Sequence, residues 1–396
     1  MFESLQMAPA DPILGLAEVF RNDPRSDKIN LSVGVFQDEN GCTPILDVVK
    51  EAERALLDAE TTKDYLPIPG EAEFGRSVRA LLFGVDSDLS SGGRAVTAHA
   101  PGGTGALRIA ADLLARHRRG SRFWVSAPTW PNHPGVFGAA GLETLSYPWY
   151  DATSGTVDQE RFLEALRAIP ANDVVVLHGC CHNPTGADAD RDTWGQITTI
   201  AAERGWLPMV DFAYQGFGDG LDADALGVRL LAQRVPELLV ASSFSKNFGL
   251  YRERVGALTL VAAKPAAAEV ALSQLKLVIR ASYSNPPAHG GLVVSRVLGD
   301  LALRARWEDQ VTAMRNRLNQ MRQMLARHLA DLKVGRDFSF LDKGRGMFAL
   351  TGLSSEQVGV LRDTFGVYLI GSGRINVAGL TPANIDRVAS AIAAVL

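Results

Sequence analysis

Cysteine is scarce in this chain. It occurs three times in 396 residues, as Cys42, Cys180 and Cys181, and two of the three are adjacent. An odd number in that arrangement gives no disulfide framework. Long apolar runs are also missing, and none approaches the length of a membrane span. The N-terminus, MFESLQMAPADPILGL, lacks the basic start and apolar core of a secretory signal. Neither sign of charge is in large excess. A net charge of −4 and a pI near 6.0 argue against nucleic acid or an anionic membrane as the main partner. No internal repeat and no low-complexity tract is visible. A soluble, cytoplasmic protein is expected. At this length two domains are the prior expectation.

What is present is organised around LLVASSFSKNFGLYRERVGALTL, residues 238–260. Leu238 to Ala241 is too short for a helix and fits a buried strand, and Val255 to Leu260 reads as a second. Between them stand Ser243, Ser245, Lys246, Arg252 and Arg254. Lysine is costly to bury unless it is paired or neutralised. Its amine can also form a Schiff base with a carbonyl, including the aldehyde of pyridoxal phosphate. A solvated surface loop is the alternative reading of this island.

From residue 95 onward strands alternate with helices. Ala95–Ala100, Phe123–Ala127, Leu145–Tyr147, Val174–His178 and Leu207–Asp211 read as strands. Helical spacing appears at Leu107, Ala110, Ala111 and Leu114, and again over 162–166 and 197–203. This rhythm predicts an α/β fold with a mostly parallel sheet flanked by helices. Ligands of such sheets sit off the carboxyl ends of the strands. The polar groups at 102–104, 130–133, Asn183, Asp211, Tyr214 and 243–246 all follow strands, so they can meet at one edge. Upstream, Asp11-Pro12 predicts a helix start, 29–36 an extended segment, 44–57 a helix, and 61–70 a loop with an exposed Tyr65. Downstream, Val311, Met314, Leu318, Met321, Leu325 and Leu329 mark one long helix leading into a C-terminal unit.

PGGTGA, residues 101–106, is a glycine-rich turn feeding a helix, which makes it either an anion site or a plain tight turn. It has neither the P-loop lysine nor GxGxxG spacing, so mononucleotide and NAD binding are disfavoured. His178, Cys180, Cys181 and His182 lack a second cluster to complete a tetrahedral site, so no metal is expected. Pyridoxal phosphate needs a Schiff-base lysine and an acid for its ring nitrogen. Lys246 and Asp211 are candidates, and Trp130 offers a stacking face.

Seven ordered motifs now carry a resemblance: APGGTGALR, PTWPNH, HGCCHNPTGAD, VDFAYQGFGDG, SFSKNFGLYRERVG, YSNPPAHGG and GSGRINVAG. Together they resemble the class I aminotransferases, and the bacterial aspartate and aromatic amino-acid branches most of all. The resemblance implies the pyridoxal-phosphate transferase fold of type I: a large domain with a mostly parallel seven-stranded sheet, and a smaller α/β domain from both chain ends. It divides the chain into 1–45, 46–312 and 313–396. Lys246 is implied as the internal aldimine lysine and proton carrier. Asp211 would pair with the ring nitrogen, with His133 behind it, and Asn183 and Tyr214 would bind the 3-oxygen. Gly103, Thr104, Ser243, Ser245 and Arg254 would hold the phosphate, joined by Tyr65 from a neighbouring subunit. Arg374, Gly34 and Asn183 would hold the substrate α-carboxylate near Trp130, and a neighbour's Arg280 the side-chain carboxylate. A homodimer with shared sites is therefore implied, with the N-terminal segment packed on the partner.

The implied activity is ping-pong transfer between aspartate, with aromatic amino acids besides, and 2-oxoglutarate. Val35, Thr43, Thr104 and Asn285 match the aspartate branch, whereas Phe36, Gln37 and Asp64 depart from it. A main preference for tyrosine and phenylalanine is the alternative. Arg280 with Arg374 argues against a lyase, and the intact Lys246, Asp211 and Arg374 argue against a non-catalytic binding protein.

Overall fold

The computed structural model describes residues 2–7, 14–91 and 93–396. The helix start expected at Asp11-Pro12 lies outside the described residues, and the helix itself is described over Leu14–Asn22.

Seven strands build the central sheet. In chain order they are β1 (Ala95–Pro101), β2 (Phe123–Ala127), β3 (Thr144–Pro148), β4 (Val174–His178), β5 (Leu207–Phe212), β6 (Leu238–Ser243) and β7 (Val255–Val261). Their spatial order is β1-β7-β6-β5-β4-β2-β3. Only β7 runs antiparallel to its neighbours, β1 and β6. Every residue of β6 and β7 is buried, as strands covered on both faces require. Side chains alternate across the sheet: Leu238 and Val240 join one hydrophobic core, Leu239 and Ala241 the other. Helix Gly102–His117 lays Leu107, Ala110, Ala111 and Leu114 against the second core.

A smaller unit joins the two ends of the chain. Ile29–Asn30 pairs in parallel with Val367–Tyr368, and Phe348–Leu350 pairs antiparallel with Arg374–Asn376. The extended segment expected over 29–36 thus forms a ladder for two residues only. The helix expected over 44–57 runs Asp47–Ala59, after Leu46 in an extended conformation. The expected long helix is Leu301–Asp331, and all six of its spaced apolar residues are buried. Trp307, on the same helix, donates its indole N–H to the Asn247 carbonyl at 2.8 Å, which anchors the helix to the lysine stretch. Among the described residues, no helix is long and apolar enough to cross a membrane.

Candidate functional site

The strand ends place the site. β1, β2, β4, β5 and β6 each release a polar loop from the carboxyl end. β7 runs the other way, and Val255 pairs with Pro101, so Arg254 reaches the same edge from the amino end of its strand. The result is one cleft at that edge, with about 220 Å³ of internal space. Gly34, Gly103, Thr104, Trp130, Asn183, Asp211, Tyr214, Ser243, Ser245, Lys246, Arg254 and Arg374 all line it.

The floor carries an acid and an amine. His133 Nε2 lies 3.1 Å from Asp211 Oδ2, and Thr129 Oγ1 lies 2.8 Å from His133 Nδ1. An ionised carboxylate only accepts, so Nε2 is the donor. Burial pushes the Asp211 carboxyl up, but the His133 hydrogen bond and nearby cations, Lys246 among them, outweigh it and the net shift is downward. Lys246 Nζ stands 4.8 Å from the centre of the Tyr214 ring. Burial lowers its pKa to about 8, with Arg254 acting in the same direction and Asp211 opposing. Desolvation also raises the Tyr214 phenol, which keeps its proton at neutral pH.

One end of the cleft is built for an anion. Helix Gly102–His117 starts after Pro101, with no side-chain cap among the described residues, so its first N–H groups are unspent. Gly102 has φ +75°, and a Cβ there would lie 2.2 Å from Arg254 Nη2, so only glycine admits the guanidinium. A Cβ on Gly103 would lie 3.1 Å from Ser243 Cβ, and Ser243 Oγ is 3.2 Å from Ser245 Oγ. Free N–H groups, two hydroxyls and a guanidinium around an uncapped helix start suit an anion such as a phosphate.

The other end presents Arg374. It is buried, and desolvation lowers its pKa. Nη2 donates to the Ser32 carbonyl at 2.9 Å and Nη1 to Asn183 Oδ1 at 3.3 Å, while Nε has no partner among the described residues. The guanidinium lies 4.3 Å from the centre of the Phe348 ring, and a Cβ on Gly34 would lie 3.3 Å from that ring. A buried guanidinium with an unspent donor suits a carboxylate ligand. Amine, acid, stacking indole, anion cradle and carboxylate fork in one cleft match what pyridoxal phosphate and an amino acid require.

Tyr65 and Arg280 do not join this cleft. Tyr65 is 92% exposed, and Arg280, near the C-terminus of helix Pro265–Ser282, is also exposed and donates to the Ser284 hydroxyl. Other residues at the site carried no clear sequence signal. Phe348 beneath Arg374, Ser32 and Thr129 are ordinary residues until the fold brings them in. Tyr251, also lining the cleft, stands inside a motif but is not of a type that announces a role.

The family model described as aminotransferase class I and II matches residues 26–392. Aspartate aminotransferase of Escherichia coli (strain K12) is 54% identical over 396 residues, covering 100% of both chains. The aromatic-amino-acid aminotransferase of Pseudomonas aeruginosa is 48% identical over 394 residues, covering 100% of this chain and 98% of its own. The crystal structure of the Burkholderia pseudomallei aromatic-amino-acid aminotransferase, covalently bound to pyridoxal phosphate, superposes with a TM-score of 0.97 at 47% identity, covering 100% of this chain and 99% of that one.

Proposed function

Because this chain belongs to the class I and II aminotransferases, we propose that it moves an amino group between aspartate, with aromatic amino acids besides, and 2-oxoglutarate, with Lys246 as the covalent anchor of its cofactor. It is an aminotransferase, and its cofactor is pyridoxal phosphate. Bound pyridoxal phosphate supplies an aldehyde for amine exchange and a ring that accepts the electron pair left at the substrate α-carbon.

The chain's own residues do the rest. Lys246 Nζ, with its pKa near 8, takes and returns the proton of the substrate α-carbon. Asp211, kept ionised by His133, holds a positive charge on the ring nitrogen. Trp130 stacks on the ring, and Asn183 and Tyr214 hold its 3-oxygen. Gly103, Thr104, Ser243, Ser245 and Arg254 bind the phosphate, with Tyr65 of the partner subunit. Arg374 grips the α-carboxylate beside Gly34 and Asn183, and Arg280 of the partner subunit grips the second carboxylate. We accordingly infer a cytoplasmic homodimer with shared sites. The chain divides into an N-terminal arm with part of the small domain (1–45), a cofactor domain (46–312) and the C-terminal part of the small domain (313–396). The pairing of Ile29–Asn30 with Val367–Tyr368 supports joining the two ends.

One observation carries this reading: a single cleft opposes the Lys246 amine to the unspent donor of Arg374. Borohydride reduction of the holoenzyme followed by peptide mapping should place the pyridoxyl group on Lys246, and a label elsewhere would sink the assignment. Turnover of aspartate, tyrosine and phenylalanine against 2-oxoglutarate tests the substrates. A main preference for aromatic substrates is the second reading, favoured by the exposed Arg280, which meets a hydroxyl rather than a carboxylate and so is free to turn away.

A further inference from the structure

One wall of the cleft is a strip of backbone with little secondary structure. After Asn30 the ladder ends, and residues 31–36, with bends at Val33 and Val35, pass beside Arg374. Most of the strip is fastened from one side. Leu31 N donates to the Tyr368 carbonyl at 2.9 Å, and Asn376 N donates to the Leu31 carbonyl at 2.7 Å. Arg374 Nη2 donates to the Ser32 carbonyl at 2.9 Å, and Asn376 Nδ2 to the carbonyls of Val33 and Val35 at 2.5 and 2.7 Å. All these partners belong to the smaller unit, so they travel with the strip.

The far end is fastened differently. Phe36 N donates to the Tyr251 hydroxyl at 2.8 Å. Tyr251 sits in the loop between β6 and β7, on the sheet-bearing part, and its own carbonyl accepts from Arg254 Nη1 at 2.9 Å. One residue therefore touches the guanidinium of the anion cradle and the strip whose Ser32 carbonyl orients Arg374. We infer that Tyr251 is a positioning residue: its phenol docks the 31–36 strip, and through it the Arg374 guanidinium, at a fixed separation from the phosphate end of the cleft. This rests on the aminotransferase reading, with Arg374 as the carboxylate ligand. Burial pushes the phenol up to about 12, so the hydroxyl stays neutral and able to accept across the working pH range. The bond spans the two parts of the molecule, so it sets the distance between two groups that must grip one substrate at once.

The test uses the holoenzyme and Tyr251→Phe, which removes the acceptor and keeps the ring. One hydrogen bond is worth about 1 kcal/mol net, or roughly fivefold in an equilibrium constant. Succinate, an inert dicarboxylate, should bind about fivefold to tenfold more weakly, and KM for 2-oxoglutarate should rise alike. kcat should change less than about twofold and pyridoxal phosphate affinity not at all. Amide exchange over residues 31–37, measured without substrate, should accelerate about tenfold. Phe36→Pro deletes the N–H from the other side. It should give the same shifts, and the double variant no more than either alone. It also serves if Tyr251→Phe does not fold.

Unchanged succinate affinity with unchanged exchange overturns the inference, as does a fall in kcat or cofactor affinity with KM intact. Wild-type holoenzyme that ignores succinate would instead count against Arg374 as the carboxylate ligand, and the exchange measurement would still decide the role of Tyr251.

Discussion

Lys246 titrates near 8 because the fold strips water from its ammonium faster than Asp211 restores the balance. In cofactor-free protein, acylation of Lys246 should therefore rise through a midpoint near pH 8, about two units below an ordinary lysine. Asp211→Asn removes the group that raises this pKa, so the midpoint should move lower still. A midpoint above 10 would show the amine to be solvated. Arg280 gives a second prediction at this scale. Arg280→Ala should lower kcat/KM for aspartate by about a hundredfold, as expected for losing the partner of a desolvated carboxylate, and leave phenylalanine within about threefold. Equal losses would remove its role in substrate choice. Lys246 and Asp211 stood out in the sequence as an amine and an acid following strands, whereas Arg374 entered only through the family resemblance. Phe348 and Ser32 were not legible there, because a phenylalanine ring and a backbone carbonyl become site groups only by placement.

At the scale of elements, the loop after β4 shows how a buried charge supports the site. Asp188 accepts the Cys181 N–H at 2.6 Å and the His182 N–H at 2.8 Å, just before Asn183. Burial raises its pKa to about 6, against the pull of those two N–H groups. The unfolded value is about 3.9, so between pH 4 and 6 the folded state binds more protons. The stability contributed by this protonation is fully present below about pH 4 and lost as pH rises through 6. Asp188→Asn should remove that dependence. Thermal unfolding of cofactor-free protein should show the variant gaining on the wild type from pH 4 to 7, and a constant difference would mean that Asp188 does not titrate in this window. Nearby, the helix read over 197–203 extends over Arg191–Arg204. Asp190 caps its start by accepting the Thr193 N–H at 2.8 Å, and Gly205, with φ +73°, ends it. The segment over 29–36 was less legible. Its alternating pattern fits a strand, but the carbonyls of Ser32, Val33 and Val35 are met by side chains rather than by a second strand.

At the scale of the whole molecule, Tyr65 and Arg280 stand outside their own cleft, and Phe2, Leu5 and Met7 expose apolar surface at the N-terminus. Both observations fit a two-fold dimer that lends residues across its interface. Complementation tests this. Lys246→Ala and Arg280→Ala chains should each be weak with aspartate. Refolded together at equal amounts they should form mixed dimers in which one site regains both groups. Half the dimers are mixed and each holds one whole site, so about a quarter of wild-type aspartate activity should return. No recovery would place Arg280 with the Lys246 of its own chain.

The sequence by itself determined the chemistry-bearing residue types and the strand-helix rhythm, because burial periodicity and side-chain chemistry are local properties. It determined that the polar loops follow strands, and a parallel sheet then sends them to one edge. Tertiary structure alone decided the rest. It turned β7 antiparallel so that Arg254 meets the start of helix Gly102–His117, and it brought Ser32, Asn183 and Phe348 around Arg374 from three distant segments. It also set the Tyr251 phenol against Phe36, 215 residues away in sequence. Such contacts depend on how two parts of the chain dock, and docking is a sum over many packed surfaces that no single stretch encodes.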